Sequence, residues 1–256
     1  MFRFLGAHPE IFPSRVKEAY YFMPANKRSL EDYLSLFAEA TDERWLLDGS
    51  PLYLLSADTP HLIREFSPES RAIVMVRNPV DLIRSQHTLN RLQQRERNDL
   101  PTALEATDLY WDVARCGQQL ERLLAVFPRE DVHIVVHDDF LADNAAEYRR
   151  VLEFLDIDPG FAPRFSTVNP SREARMDAVQ RTLWRDGGAA RVAARLVLPP
   201  RVREKGWRAI SRLNAHRRPR PPLDDDLAES IRRRLEPDVE LLSNLLDRDL
   251  VSLWGR

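Results

Sequence analysis

Two polar residues follow the most apolar run of the chain, and their types suit the binding of a phosphate group. Arg77 comes directly after the run Ala72–Val76, and Ser85 follows further along. An arginine guanidinium is a planar, permanently charged fork that pairs with phosphate oxygens, and a serine hydroxyl can donate one more hydrogen bond. This spacing predicts a pocket for a phosphate monoester. The alternative is a capping arginine and an ordinary helix serine, both solvated.

The residues around this pair predict a buried strand that turns straight into a helix. The β-branched run 72–76 has the length and composition of a buried parallel strand. Asn78 is a good N-cap, Pro79 suits the first helical position, and Asp81 places a carboxylate in the first turn. Open α/β sheets bind ligands where strands end in this way. We therefore expect the two polar side chains to lie at a ligand-binding edge of a sheet.

The composition is that of a globular protein and argues against several kinds of site. The 256 residues suffice for one α/β domain over residues 1–256, of which 172–256 is expected to be mainly helical. The single cysteine, Cys116, excludes an intrachain disulfide and fits a reducing compartment. The six histidines lack ligand spacing, so no metal site is expected. Because no apolar run is long enough to span a membrane and no secretory signal is recognised, we predict a cytoplasmic protein.

Strand and helix patterns alternate along the chain, which favours an α/β fold with helices flanking a parallel central sheet. The predicted strands are 20–22, 45–48, 72–76 and 132–136. The predicted helices are 29–40, 59–66, a helix from 79, a long helix 103–127, 144–155, 224–235 and 237–246, with 250–254 docking back on the body.

The stretch from Arg172 to Arg220 is basic, with 14 Lys or Arg residues against four Asp or Glu. A nucleic-acid patch and an arginine-rich interaction module are both conceivable for such a stretch. However, its cations are spread around helical faces and few aromatic residues lie between them. A solvated helical face is therefore favoured, and no nucleic-acid partner is predicted.

The strand, the Arg-x-Pro sequence and the downstream serine of residues 72–85 resemble the 3′-phosphate-binding segment of the sulfotransferase family. Members of that family move a sulfuryl group from 3′-phosphoadenosine-5′-phosphosulfate (PAPS) to an acceptor. The resemblance implies that Arg77 and Ser85 hold the 3′-phosphate of the donor. One departure is Leu82, which stands where many members carry a further arginine.

Further stretches resemble the same family in the same order. Residues 8–12 and 17–22 resemble its His-Pro and Lys-Glu-x-x-[Tyr/Phe]-Phe stretch, and 48–53 resembles the segment that lines the acceptor cleft. Residues 132–155 resemble the strand, acidic turn and helix that follow, and 168–175 lies where relatives have a loop that closes over the nucleotide. With 250–254 the resemblance covers nearly the whole chain.

The resemblance also implies roles for individual residues. Glu18 matches the family's catalytic carboxylate and is the expected base, the alternative being an ordinary surface glutamate. Lys17 would contact the sulfate or the acceptor, or else form a structural salt bridge. Arg172 and Arg175 would bind the 3′-phosphate or ribose phosphate, or else be solvated in the loop. The acceptor would be a hydroxyl or amine of a carbohydrate, lipid or small metabolite.

One signature of the family is not found in the sequence. Relatives carry a Lys-x-Gly-Thr-Thr-like loop that cradles the 5′-phosphosulfate, about fifteen residues before the His-Pro stretch, whereas here no lysine precedes Lys17. We therefore expect a P-loop-NTPase-like sulfotransferase fold that is N-terminally incomplete. Two functions follow: a PAPS-dependent sulfotransferase, or a non-catalytic sulfotransferase-like nucleotide-binding protein.

Overall fold

A computed structural model describes residues 1–165, 172–174, 215–217 and 223–255, of which 172–174 and 215–217 are described by their backbone alone. The strands are β1 (Ile11–Pro13), β2 (Trp45–Leu47), β3 (Ala72–Val76), β4 (Val132–Val136), β5 (Arg172–Ala174) and β6 (Ala215–Arg217). The helices are α1 (Phe2–Leu5), α2 (Leu30–Leu34), α3 (Thr59–Phe66), α4 (Pro79–Leu92), α5 (Leu100–Ala106), α6 (Leu109–Ala114), α7 (Cys116–Leu124), α8 (His137–Ala142), α9 (Asn144–Phe154), α10 (Asp225–Leu246) and α11 (Leu250–Trp254). Short 3₁₀ helices are Ser35–Phe37, Pro51–Leu55 and Arg129–Asp131.

The strands pair in three two-stranded sheets among the described residues, and two of these are parallel. Strand β1 pairs with β2, and β3 pairs with β4 in the register Ala72↔Val132 to Val76↔Val136. Strands β5 and β6 pair antiparallel. Parallel strands need a crossover connection, which here contains helices. The predicted α/β class, with parallel strands flanked by helices, is confirmed.

Side chains from all four parallel strands contact one apolar cluster. Val135 of β4 is fully buried in it, and Ile73 of β3, Trp45 and Leu47 of β2 and Ile11 of β1 pack there too. Helices α1, α8 and α9 contribute buried side chains to this cluster. A second cluster joins β3 and β4 to α7, α10 and α11. Strand β3 thus contributes to both clusters, although only Val74 and Val76 of it are buried and Met75 is exposed.

The described residues form two compact units. The first comprises residues 1–79, 115–165 and 234–255 and contains the four parallel strands with α7 and α11. The second comprises 80–114, with 172–174, 215–217 and 223–233. Within the second unit, the buried Asn90 donates a hydrogen bond to the Tyr110 hydroxyl at 3.2 Å.

Local capping signals are reproduced in the structure. The Ser29 hydroxyl accepts a hydrogen bond from the backbone of Asp32 at 3.0 Å, so α2 begins where the sequence predicts, although it passes into a 3₁₀ turn after Leu34. Helix α4 begins at Pro79 and carries Asp81 in its first turn. These features depend on neighbours in sequence, which is why they are predictable.

Three predicted elements are wrong. Residues 20–22 form a turn rather than a strand, because Tyr20 adopts a φ of 52° that no strand accommodates. Residues 103–127 are not one helix, since extended backbone at Thr107 and a non-helical Arg115 separate α5, α6 and α7. The two helices predicted on either side of Pro237 are one continuous helix, α10.

Candidate active site

The segment of residues 17–22, called the Lys-Glu turn below, brings together two of the residues singled out from the sequence. Lys17 Nζ lies 3.2 Å from Glu18 Oε1, and the Tyr20 hydroxyl donates to Glu18 Oε2 at 2.9 Å. The Glu18 side chain is 40% exposed. The carboxylate is therefore held from two sides while remaining accessible to a bound molecule.

The backbone of the Lys-Glu turn is strained. Glu18 has a φ of 65° and Tyr20 a φ of 52°, both in the left-handed region. For residues with a Cβ atom this conformation costs about 1–2 kcal/mol each. Such strain persists only where the surroundings over-determine it, and it clusters at functional sites. The two outliers therefore support a functional role for this turn.

Contacts from outside the turn hold Tyr20 in this conformation. Its backbone N–H donates to Ser50 Oγ at 3.1 Å, and its carbonyl accepts from Asn26 Nδ2 at 2.6 Å. Ser50 is itself buried, and its hydroxyl donates to Asp48 Oδ1 at 2.7 Å. These partners were not identified as site residues from the sequence. The signal available was the resemblance of 48–53 to an acceptor-cleft segment.

An aromatic cluster underlies the turn. Phe22 and Tyr33 are buried, and the Tyr21 ring stacks on the Tyr33 ring with centroids 4.4 Å apart. Burial, strengthened by the nearby Asp48 carboxylate, holds the pKa values of Tyr33 and Tyr53 well above those of ordinary tyrosines. Both hydroxyls therefore remain protonated at physiological pH and act as hydrogen-bond donors.

Arg77 lies at the carboxyl end of β3, as predicted, and is partly buried. Its backbone hydrogen-bonds the partly buried Cys116 thiol, whose pKa burial raises to about 12. The next residue, Asn78, donates from its side chain to the Trp254 carbonyl at 3.4 Å. The strand end is thus attached to α7 and to α11, which leaves the Arg77 backbone in a defined place.

The first turn of α7, next to Cys116, is capped by a residue distant in sequence. The backbone N–H groups of Gly117 and Gln118 donate to the two carboxylate oxygens of Asp238 at 2.8 and 2.9 Å. A Cβ atom on Gly117 would lie 2.3 Å from the Asp238 carbonyl oxygen, so glycine permits the close approach of α7 and α10. Burial raises the pKa of Asp238. No local pattern pointed to this carboxylate.

The remaining predicted site residues are Ser85, Arg172 and Arg175. Ser85 lies in the second turn of α4 and is partly buried; it belongs to the second unit and Arg77 to the first. Arg172 begins β5, opposite Arg217, with its backbone alone described. Arg175 lies outside the described residues.

The part of the chain that the structure describes contains neither a cluster of metal-ligating side chains nor a membrane-spanning helix. Across residues 1–165 and 223–255, no group of three or more His, Cys, Asp or Glu side chains could hold a metal ion. In the same ranges, no helix is long and apolar enough to cross a membrane.

Known proteins resemble this chain in sequence and in structure. Human heparan sulfate glucosamine 3-O-sulfotransferase 6 is 28% identical over 170 residues, which is 61% of this chain and 48% of that protein. Human heparan sulfate glucosamine 3-O-sulfotransferase 3B1 is 26% identical over 169 residues, 61% of this chain and 42% of that protein. The chain therefore spans about half the length of the curated relatives it matches.

The fold is also that of a solved sulfotransferase. The crystal structure of a sulfotransferase from Alicyclobacillus acidocaldarius superposes with a TM-score of 0.73 at 21% identity, covering 99% of this chain and 92% of that one. The sulfotransferase family model matches residues 7–162, a segment that contains the Lys-Glu turn, Arg77 and Ser85. Because this match takes in more than half of the chain, the protein belongs to the sulfotransferase family.

Proposed function

We propose that this protein transfers a sulfuryl group from PAPS to a hydroxyl or amine of an acceptor. The observation that carries the proposal is the Glu18 carboxylate, exposed on a strained turn between the Lys17 ammonium and the Tyr20 hydroxyl. Family membership supports the reaction class. A non-catalytic nucleotide-binding protein is the less favoured alternative, since such a protein has no use for a strained, accessible carboxylate.

The chemistry assigns a separate task to each group. Glu18 removes the proton of the acceptor as its oxygen or nitrogen attacks the sulfur. The bond between the sulfur and the 5′-phosphate oxygen breaks, and 3′-phosphoadenosine-5′-phosphate (PAP) leaves with the electron pair. Lys17 offsets the negative charge on the transferring group, as cations do in the related phosphoryl transfers. Tyr20 keeps Oε2 of the carboxylate oriented, and Oε1, which contacts Lys17, takes up the proton of the acceptor.

For the donor, we propose that the Arg77 guanidinium pairs with the 3′-phosphate, supported by its position at the carboxyl end of a parallel strand. The family resemblance supports Ser85, Arg172 and Arg175 as additional ligands of the donor. Each of these three is a separate proposal that single substitutions test.

For the acceptor, we propose a hydroxyl of a carbohydrate. Support comes from the names of the relatives, which describe sulfation of a glucosamine of heparan sulfate. Lipids and small hydroxylated metabolites are tested beside sugars in the same assay, because the reaction at sulfur is the same for each.

The deciding experiment is transfer of labelled sulfate from PAPS to a panel of amino sugars, oligosaccharides, lipids and small alcohols. Glu18→Gln should lower kcat by about 10²- to 10⁴-fold, the usual contribution of a general base, without weakening PAP binding measured by calorimetry. Glu31→Gln, an exposed carboxylate on α2, is the matched control and should behave as wild type.

The two candidate functions give different results. Transfer that persists in Glu18→Gln contradicts the assignment of the base. PAP binding without transfer to any acceptor identifies the non-catalytic alternative. Absence of both binding and transfer contradicts the proposed function as a whole.

A further inference from the structure

Two side-chain hydroxyls hold the backbone of the Lys-Glu turn, and both donate to one carboxylate. Ser50 Oγ accepts from the backbone N–H of Tyr20 at 3.1 Å and donates to Asp48 Oδ1 at 2.7 Å. Tyr53 Oη accepts from the backbone N–H of Phe22 at 3.4 Å and donates to Asp48 Oδ2 at 2.8 Å. Alternate N–H groups of the turn are therefore linked to the two oxygens of a single side chain.

The arrangement requires a carboxylate at position 48. A hydroxyl that uses a lone pair to accept from an N–H must place its own proton on another acceptor. An ionised carboxylate accepts at both oxygens, whereas an amide accepts at one and donates at the other. Asp48 also accepts from the Tyr33 hydroxyl at 3.3 Å, which keeps its side chain in place. Replacing it with asparagine therefore releases at least one of the two hydroxyls.

These hydrogen bonds stabilise the strained backbone of the Lys-Glu turn. The left-handed conformations of Glu18 and Tyr20 are unfavourable unless outside contacts enforce them. Relaxation of Tyr20 to an ordinary φ would move its hydroxyl away from Glu18 Oε2, which it contacts at 2.9 Å. The orientation of the Glu18 carboxylate, the proposed base, thus depends on the hydrogen bonds that fix Tyr20.

We propose that Asp48 is a positioning residue of the transfer reaction. Through Ser50 and Tyr53 it holds the Lys-Glu turn in the conformation that directs Glu18 toward the acceptor. This inference rests on the proposed function, because it is the catalytic role of Glu18 that makes the turn's conformation matter for rate.

The test uses three variants with distinct expected patterns. Asp48→Asn should raise amide hydrogen exchange at Tyr20, at Phe22 or at both by about tenfold or more, since at least one of the hydroxyls that accept from these amides loses its own acceptor. Ser50→Ala should affect mainly Tyr20, and Tyr53→Phe mainly Phe22. Exchange along β4 should not change in any of the three.

Activity provides the second readout. In Asp48→Asn and Ser50→Ala, kcat should fall by about tenfold or more while KM for PAPS stays within about twofold, because positioning acts on the chemical step. Ser56→Ala, which removes a hydroxyl of the same segment outside this network, should leave exchange and kcat unchanged. If Asp48→Asn fails to fold, Ser50→Ala and Tyr53→Phe, which each remove one hydroxyl, still test the proposal.

Each adverse outcome has a separate meaning. Unchanged exchange at both amides in a folded Asp48→Asn protein overturns the inference. Increased exchange with an unchanged kcat overturns the positioning role. A wild-type protein that transfers no sulfate contradicts the proposed function, and the exchange pattern alone then decides whether Asp48 holds the turn.

Discussion

Arg77 shows how the properties of one side chain determine what a site can bind. Its guanidinium offers two parallel N–H donors to one phosphate, whereas a lysine at the same place offers a point charge on a flexible stem. The backbone that carries it is attached to Cys116 and precedes the bonded Asn78, so the base of the side chain is fixed. We therefore expect PAP binding to depend on the two parallel N–H donors of the Arg77 guanidinium and not only on its charge.

Arg77→Lys should weaken PAP binding by about tenfold, and Arg77→Ala by more, because hydrogen bonds to charged groups contribute about 1.5–3 kcal/mol. Isothermal titration calorimetry measures both constants. Arg149→Ala, an exposed arginine on α9, is the control and should bind as wild type. Equal affinities for the wild type and Arg77→Lys would show that the fork is not used.

Helix α7 illustrates how an element depends on distant residues. Its first N–H groups have no partner within the helix, as at every helix N-terminus. Here the Asp238 carboxylate of α10 satisfies two of them, and Gly117 allows the helices to approach closely. The same helix begins at Cys116, which contacts the Arg77 backbone. The cap thus supports the strand end that carries the proposed donor ligand.

Asp238→Ala should lower the free energy of unfolding by about 2 kcal/mol, since it removes a helix cap and takes away the partner of the buried N–H of Gly117 and of the part-buried N–H of Gln118. Urea denaturation at pH 7 measures the change. Glu236→Ala, an exposed position on the same helix, should change stability by no more than about 0.5 kcal/mol. If the two variants are equally stable, the cap contributes nothing measurable.

At the scale of the whole molecule, the C-terminal residues 248–254 pack within the first unit through charged as well as apolar contacts. Arg248 forms a bidentate ion pair with Asp139 of α8, one of its bonds being 2.8 Å, and the Trp254 indole donates to Asp138 at 3.1 Å. The hydrogen bond from Arg248 lowers the pKa of Asp139. Leu250 and Trp254 are buried in the cluster around β3 and β4.

The Arg248–Asp139 ion pair contributes to the fall in the free energy of unfolding at acid pH. Because the folded-state pKa of Asp139 is lowered, its contribution is present above the unfolded pKa of about 3.9 and is lost as pH falls through the folded value. Asp139→Asn should therefore show a smaller fall in urea midpoint between neutral and acid pH than wild type. Since both side chains are about a third exposed, the difference should stay below about 1 kcal/mol.

The control for this effect is Asp42→Asn, an exposed carboxylate in the loop before β2. Its pH profile should overlay that of the wild type. If the urea midpoint falls equally at acid pH in Asp139→Asn and in wild type, the ion pair does not contribute to the pH dependence.

The sequence predicts the proposed donor-binding part of the site, around Arg77, better than the proposed catalytic part, the Lys-Glu turn. The strand β3, the start of α4 at Pro79 and the position of Arg77 follow from neighbouring residues and were predicted correctly. Only residues 20–22 of the Lys-Glu turn are predicted as a strand, because aromatic residues favour strands, and this prediction is wrong. The actual conformation of the turn depends on Ser50 and Asn26, whose contacts no local pattern contains.

The sequence by itself determined the fold class, because apolar periodicity and local capping depend on neighbouring residues. It indicated the family through the resemblance of its motifs, and the candidate residues through their side-chain types. Only the tertiary structure decided that Glu18 stands between Lys17 and Tyr20 on a strained turn, and that Asp48 and Asp238 satisfy backbone groups far along the chain. The physical reason is that left-handed backbone and exposed helix N–H groups are stabilised by partners that folding alone brings near.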